Sequence, residues 1–205
     1  EAVKEVGGAG VPTVKPWGED VVADRMVLAR ESGAFAIAMD VDAAGLPFLK
    51  GLEPPAGPKS VAQLRSIAES AGVPFIVKGV MTPGGAEKAV EAGAAAVVVS
   101  NHGGRVLDGC PATAEVLPSV AAAVAGRCAV LVDGGIRSGL DVFRALALGA
   151  DGVLVCRPFV VAAYGGGQQA MEGLLAQYRA ELADVMEMCG LHGVAEIGPQ
   201  AVWRP

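Results

Sequence analysis

Two stretches of this chain place paired glycines and an arginine directly after a short apolar run, and both read as places to hold an anion. Asp133-Gly-Gly-Ile-Arg-Ser-Gly139 leaves one such run and is followed by a helical pattern over Leu140–Leu148. Paired glycines let backbone N–H groups close on an anion, Arg137 adds a charge-assisted hydrogen bond, and the helix N-terminus adds its dipole. Cys156-Arg157-Pro158 supplies a second Arg at the end of the next run. The pattern is neither GxGxxG nor a P-loop lysine motif, which argues against a nucleoside triphosphate.

The second stretch is Val97-Val-Val-Ser-Asn-His-Gly-Gly-Arg105. His102 leaves a fully apolar segment and enters a glycine pair, so its imidazole has room for a ligand. Arg105, three residues on, is placed to bind a small anion beside it. His with Arg suits removal of a proton from a substrate whose carboxylate the Arg holds. Lys78 ends Phe75-Ile-Val-Lys78, either as a rim residue reaching solvent or as a cation facing an electron-rich cofactor atom. Asp42 follows another apolar run, either as a solvated carboxylate or as the group that orients His102 and stabilises its imidazolium.

These residues need elements to position them. Six short runs, Val11–Pro16, Phe35–Met39, Pro74–Lys78, Ala95–Ser100, Ala129–Val132 and Gly152–Val155, are rich in Val, Ile and Ala and do not alternate. Strands buried on both faces read this way, which predicts a parallel sheet. Gly33-Ala34, Gly93-Ala94 and Gly149-Ala150 repeat one junction, a glycine cap on a helix turning straight into a strand. Between the strands, Val61, Leu64, Ile67 and Ala71 share a helix face behind the cap Ser60, and Thr82-Pro83 opens another helix. Leu117, Val120, Ala121 and Val124 form a further stripe, as do Phe143, Leu146 and Ala147. A longer stripe from Met171 through Leu174, Leu175, Tyr178, Leu182 and Val185 to Met186 predicts a core-packed C-terminal helix. Leu46–Lys59, with its prolines, is the one long loop expected. Polar and ionisable groups end nearly every strand: Lys15, Asp40 and Asp42, Lys78, Ser100-Asn101-His102, Asp133 and Arg157. A (β/α)₈ barrel gathers all such ends on one rim, whereas an open doubly wound sheet uses mainly its switch point, so the barrel is favoured.

Val77-Lys-Gly-Val80, Ser100-Asn-His-Gly-Gly-Arg105, Asp133-Gly-Gly-Ile-Arg137 and Arg157-Pro158, in this order and spacing, resemble the FMN-dependent α-hydroxy-acid oxidases and dehydrogenases. The similarity is near-continuous from about Pro74 to Pro158. It implies a (β/α)₈ barrel with FMN on the C-terminal rim and oxidation of an α-hydroxy acid to a 2-oxo acid. By the same resemblance His102 is the base, Asp42 its carboxylate partner, and Arg105 the anchor of the substrate carboxylate. Lys78 faces the N1/C2-carbonyl edge of the flavin, and Ser100 contacts the ring. Asp133, Gly135, Arg137, Cys156 and Arg157 bind ribityl and phosphate. The chain departs from the family in several places. Lys15-Pro16 stands near a usual Gln and Tyr, and Asp40 replaces a usual Thr beside the flavin. Ala43-Ala-Gly-Leu-Pro47 lacks a second substrate-binding Arg, and Cys156 replaces a usual Gly. Two rivals stand beside this reading: an FMN barrel with redox-neutral chemistry of the isopentenyl-diphosphate isomerase type, which would share the glycine-rich phosphate loops, and a truncated, non-catalytic phosphate- or FMN-binding barrel, which the lost pocket residues favour.

Composition bounds the remaining classes. With 205 residues, 52% of them hydrophobic and 29 of them Gly, the chain is expected to be one packed domain over 1–205. No apolar run reaches the ~18 residues of a membrane span. The net charge of −6, with scattered Lys and Arg, argues against nucleic acid as a partner. No cluster of Cys and His has metal-binding spacing, and Cys110, Cys128, Cys156 and Cys189 are expected to be reduced, mostly buried thiols of a cytoplasmic protein. Family members are often tetramers, so the resemblance implies a homo-oligomer. The motifs account for the third to eighth strands of a barrel that needs eight strands and about 250 residues. The chain is therefore expected to be the C-terminal portion of a longer protein.

Overall fold

The computed structural model describes residues 1–46, 49, 53 and 55–203. A short helix, α1 (Ala2–Glu5), precedes six strands: β1 (Thr13–Val14), β2 (Ile37–Asp40), β3 (Phe75–Val80), β4 (Ala96–Val99), β5 (Ala129–Asp133) and β6 (Gly152–Leu154). Helices α2 (Glu19–Glu31), α3 (Val61–Ala71), α4 (Pro83–Glu91), α5 (Thr113–Val124), α6 (Gly139–Ala147) and α7 (Arg157–Met188) alternate with them. Every neighbouring pair of strands is parallel, and the spatial order is the chain order, β1 through β6. A doubly wound sheet reverses its order at a switch point. This one never does, so right-handed crossovers carry all the helices to the same face. The architecture is a partial (β/α)₈ barrel wall of six βα units. Among the described residues, β1 and β6 each pair on one side only.

Burial follows position in that wall. All four residues of β2 and of β4 are buried, β5 alternates, and the edge strand β6 is only half covered. Ile37, Met39, Val77, Val97 and Val99 share one core with Leu117, Val120 and Val124 of α5. The repeated junction forms as its composition predicts: Gly33, Gly93 and Gly149 have φ of 75°, 86° and 104°, and the alanine after each is buried. Ser60 caps α3 in a reciprocal box with Gln63, and Thr82 caps α4 ahead of Pro83.

Three expectations change. The first strand is Thr13–Val14 rather than Val11–Pro16, because Pro12 and Pro16 have no N–H to donate to a ladder. Pro12 keeps only its acceptor role, taking Ala38 N–H at 3.0 Å. The C-terminal stripe is not core-packed throughout: Tyr178 is its one buried member, and Leu175 is 44% exposed. Helix α7 breaks at Gly166-Gly167, where φ reaches +62°, and its second half packs one side against α6. That contact is close, since a Cβ on Gly139 would lie 2.4 Å from Tyr178 O and Leu182 N. The thiols are unpaired but none is buried: Cys110 and Cys128 are half-buried, while Cys156 and Cys189 sit exposed at the two ends of α7. The expected Leu46–Lys59 loop lies partly outside the described residues. Among those residues no helix is long and apolar enough to cross a membrane.

Candidate active site

The strand ends expected to carry chemistry gather on one rim. Register places Asp40 of β2 opposite Lys78 of β3. Just past Lys78 the β3–β4 ladder shifts, and Gly79 sits in the bulge with φ +99°. A Cβ there would meet the Asp42 carboxyl carbon at 2.5 Å, so the missing side chain is the space that Asp42 occupies. Asp42 itself lies in a 3₁₀ turn, Val41–Gly45, that starts where β2 stops.

Across that space stands His102. Its Nδ1 is 3.2 Å from Asp42 Oδ2 and 3.3 Å from Oδ1, with both side chains almost covered. The backbone around His102 is over-determined. Its φ is +57°, unusual for a residue with a Cβ. Asn101 Oδ1 accepts from Gly103 N and Gly104 N, and Ser100 Oγ accepts from His102 N at 3.2 Å. With Nδ1 turned to Asp42, Nε2 is the nitrogen left to meet a ligand.

Ser100 is fully buried and joins this turn to β3, because its Oγ also accepts from Lys78 Nζ at 2.8 Å. Lys78 Nζ reaches Asp133 Oδ2 at 3.1 Å as well. Asp133 in turn is fixed through its carbonyl, which accepts from the buried Thr113 hydroxyl at 2.7 Å. On the other flank, Lys15 Nζ donates to Asp40 Oδ2, and Asp40 is 2% exposed. Donor atoms of Asp40, Asp42 and His102 all lie within 4.8 Å of one another. The Lys15 segment is held by Lys59, whose Nζ donates to Pro16 O at 2.9 Å. Burial holds the Lys59 ammonium below its ordinary pKa, with Glu19 acting against that shift.

The glycine-rich loops form the second half of the rim. Gly134 and Gly135 both take positive φ, and Arg137 N donates to Asp141 Oδ2, tying the loop to α6. Arg137 and Arg157 line one cavity of about 510 Å³ with Gln177 and Tyr178, and neither has an ion-pair partner among the described residues. Cys156 caps α7 without a side-chain hydrogen bond, and among the described residues no side chain accepts from the first-turn N–H groups. Arg157 also approaches the histidine turn, with Nη2 3.7 Å from where a Gly103 Cβ would be. Arg105 is exposed, its Nε donating back to His102 O at 3.0 Å.

The structure thus brings His102, Asp42, Lys78, Ser100 and Asp133 into one connected group. Arg105, Gly135, Arg137, Cys156 and Arg157 lie around it as exposed residues. Sequence reasoning missed two supports, Gly79 and Thr113, and placed Asn101 at a strand end without giving it a role. A lone glycine inside an apolar strand was a legible signal of close approach, whereas nothing local marks Thr113.

Residues 47–204 match the family model described as FMN-dependent dehydrogenase. The chain belongs to that family. Over 131 residues it is 48% identical to an L-lactate dehydrogenase of Allorhizobium ampelinum, covering 64% of this chain and 35% of that one. An L-lactate dehydrogenase of Xanthomonas campestris pv. campestris is 50% identical over 131 residues, covering 64% and 34%. A solved mandelate oxidase variant with a monooxide FMN adduct superposes with a TM-score of 0.84 at 36% identity, covering 95% of this chain and 63% of its own. Another, with (S)-mandelic acid, gives 0.86 at 34% identity and the same coverage. The matched stretch of this chain spans about a third of the length of the two lactate dehydrogenases.

Proposed function

We propose that residues 1–205 form one barrel unit of an FMN-dependent enzyme that oxidises a small α-hydroxy acid to the 2-oxo acid. The observation that carries this reading is the His102–Asp42 pair, clamped in a strained turn beside the Lys78–Ser100–Asp133 group. The residues present fit the cofactor. Two arginines with no ion-pair partner among the described residues and a helix N-terminus suit its phosphate, and the Lys78 ammonium suits a ring edge that gains negative charge on reduction. Bound FMN supplies the two-electron acceptor.

The chain's own residues do the rest. His102 takes the substrate proton on Nε2, while Asp42 holds the ring through Nδ1 and stabilises the imidazolium. Arg105, freed from the His102 carbonyl, anchors the substrate carboxylate. Asp133, Gly135, Arg137, Cys156 and Arg157 hold ribityl and phosphate, the last two through α7's first turn. Ser100 ties Lys78 to the His102 turn and would contact the flavin. Four unpaired thiols fit a cytoplasmic setting.

The test is reconstitution of the full-length protein with FMN, followed by anaerobic addition of lactate, glycolate or mandelate. Bleaching of the flavin by one of them supports the reading. Tight FMN binding with turnover of isopentenyl diphosphate and no bleaching by hydroxy acids would replace it with redox-neutral chemistry. Failure to bind FMN would overturn it outright.

A further inference from the structure

Three neighbouring strand ends carry a cation, an anion and a cation in that order. Lys15 follows β1, Asp40 ends β2, and Lys78 lies on β3 as the register partner of Asp40. Asp40 is 98% buried by its 2% exposure, and its two oxygens differ. Oδ2 accepts from Lys15 Nζ, while Oδ1 is buried with no hydrogen-bond partner among the described residues. Lys78 spends its contacts on Ser100 and Asp133 and leaves Oδ1 unserved. An orphaned, buried carboxylate oxygen is costly unless a donor meets it, so the rim is shaped for a ligand that brings an N–H or O–H to this point.

The row Lys78–Asp40–Lys15 offers donor, acceptor, donor. The pyrimidine edge of an isoalloxazine offers the complement: the C2 carbonyl, the N3–H and the C4 carbonyl. We propose that Lys15 and Asp40 act as one charge-neutral pair that reads this imide edge together with Lys78, with Asp40 Oδ1 accepting from N3–H and Lys15 turned to the C4 carbonyl. The inference rests on the FMN reading above. It assigns work to two residues at which this chain departs from the uncharged Gln and Thr that the resemblance implies. The pairing has a physical reason. Asp40 alone would put a buried negative charge beside a ring that itself becomes anionic on reduction, and Lys15 cancels it.

The experiment compares full-length protein with Lys15→Gln, Asp40→Thr and the double variant, reading FMN dissociation constant and flavin midpoint potential. Each single change is expected to weaken FMN by about tenfold or more, the scale of one lost hydrogen bond to a charged group. Lys15→Gln should lower the potential and Asp40→Thr should raise it, while the double variant returns towards the parent in both quantities. Additive losses of FMN affinity in the double variant, or singles that leave both quantities unchanged, would overturn the proposal. A second reading needs no altered fold: the parent protein should bind FMN much more tightly than 3-methyl-FMN, which lacks N3–H, and Asp40→Ala should erase that preference. Equal binding of the two flavins by the parent would overturn it too. If FMN binds and hydroxy acids reduce it while these couplings fail, only this inference falls. If FMN does not bind, the functional reading falls with it.

Discussion

Gly79 makes room for Asp42: a Cβ on the bulge of β3 would stand 2.5 Å from the Asp42 carboxyl carbon and 2.6 Å from its Oδ1. The glycine also holds φ at +99°, a conformation that a side chain resists. One residue therefore serves both the strand geometry and the carboxylate behind His102. Gly79→Ala is expected to push Asp42 off the imidazole. The protein should keep its fold with a loss of about 1–3 kcal/mol, measured by urea unfolding, and a crystal structure of the variant should show the Asp42–His102 contact broken.

Lys78 bridges two strand ends through Ser100 and Asp133. Lys78→Met removes the only cation paired with Asp133 among the described residues. Since both side chains are about four-fifths covered, the unpaired carboxylate should cost about 1–2 kcal/mol. Chemical denaturation checks that cost. An unchanged unfolding midpoint would show that the bridge contributes nothing to the fold.

The crossing of α6 and α7 makes a third site legible. Gly139→Ala would drive a methyl group into Tyr178 O and Leu182 N, both backbone atoms. The helices must part, and overpacking of this kind costs about 1–3 kcal/mol. Thermal unfolding of the variant should show it, whereas Gly135→Ala at an open position should lose less by contact and only what its positive φ demands.

At the same crossing, Glu181 accepts from Gln177 and from Gly139 N, and these bonds hold its carboxyl below the usual carboxylate range. A lowered folded-state pKa means the carboxylate stabilises the fold at neutral pH. That contribution begins to fall near the unfolded value and is gone once pH drops through the folded one. Urea midpoints followed from pH 7 into the acid range should therefore decline more steeply in the parent than in Glu181→Gln. Parallel declines would contradict the assignment.

Much of this was open to a reader of the sequence, for physical reasons. The helix–Gly–Ala–strand junction is written in residue types that few backbone states accept, so Gly33, Gly93 and Gly149 announced the barrel units. His102 and Asp133 stood at strand ends followed by paired glycines, which marks a rim. What stayed hidden depends on contacts distant in sequence. Thr113 lies twenty residues from the carbonyl it holds. The Lys15–Asp40 pair spans two βα units, and nothing near either residue names the other. The half-covered stripe of α7 read as core because periodicity reports amphipathicity, not how much partner surface a helix finds.

In the proposed reaction His102, set by Asp42, is the base of a flavin-linked oxidation. Its most direct test is anaerobic mixing of FMN-loaded full-length protein with the best hydroxy acid, the parent against His102→Ala. Flavin bleaching should slow by about 10²- to 10⁴-fold in the variant, with the FMN dissociation constant unchanged. Bleaching at the parent rate in His102→Ala would contradict the account.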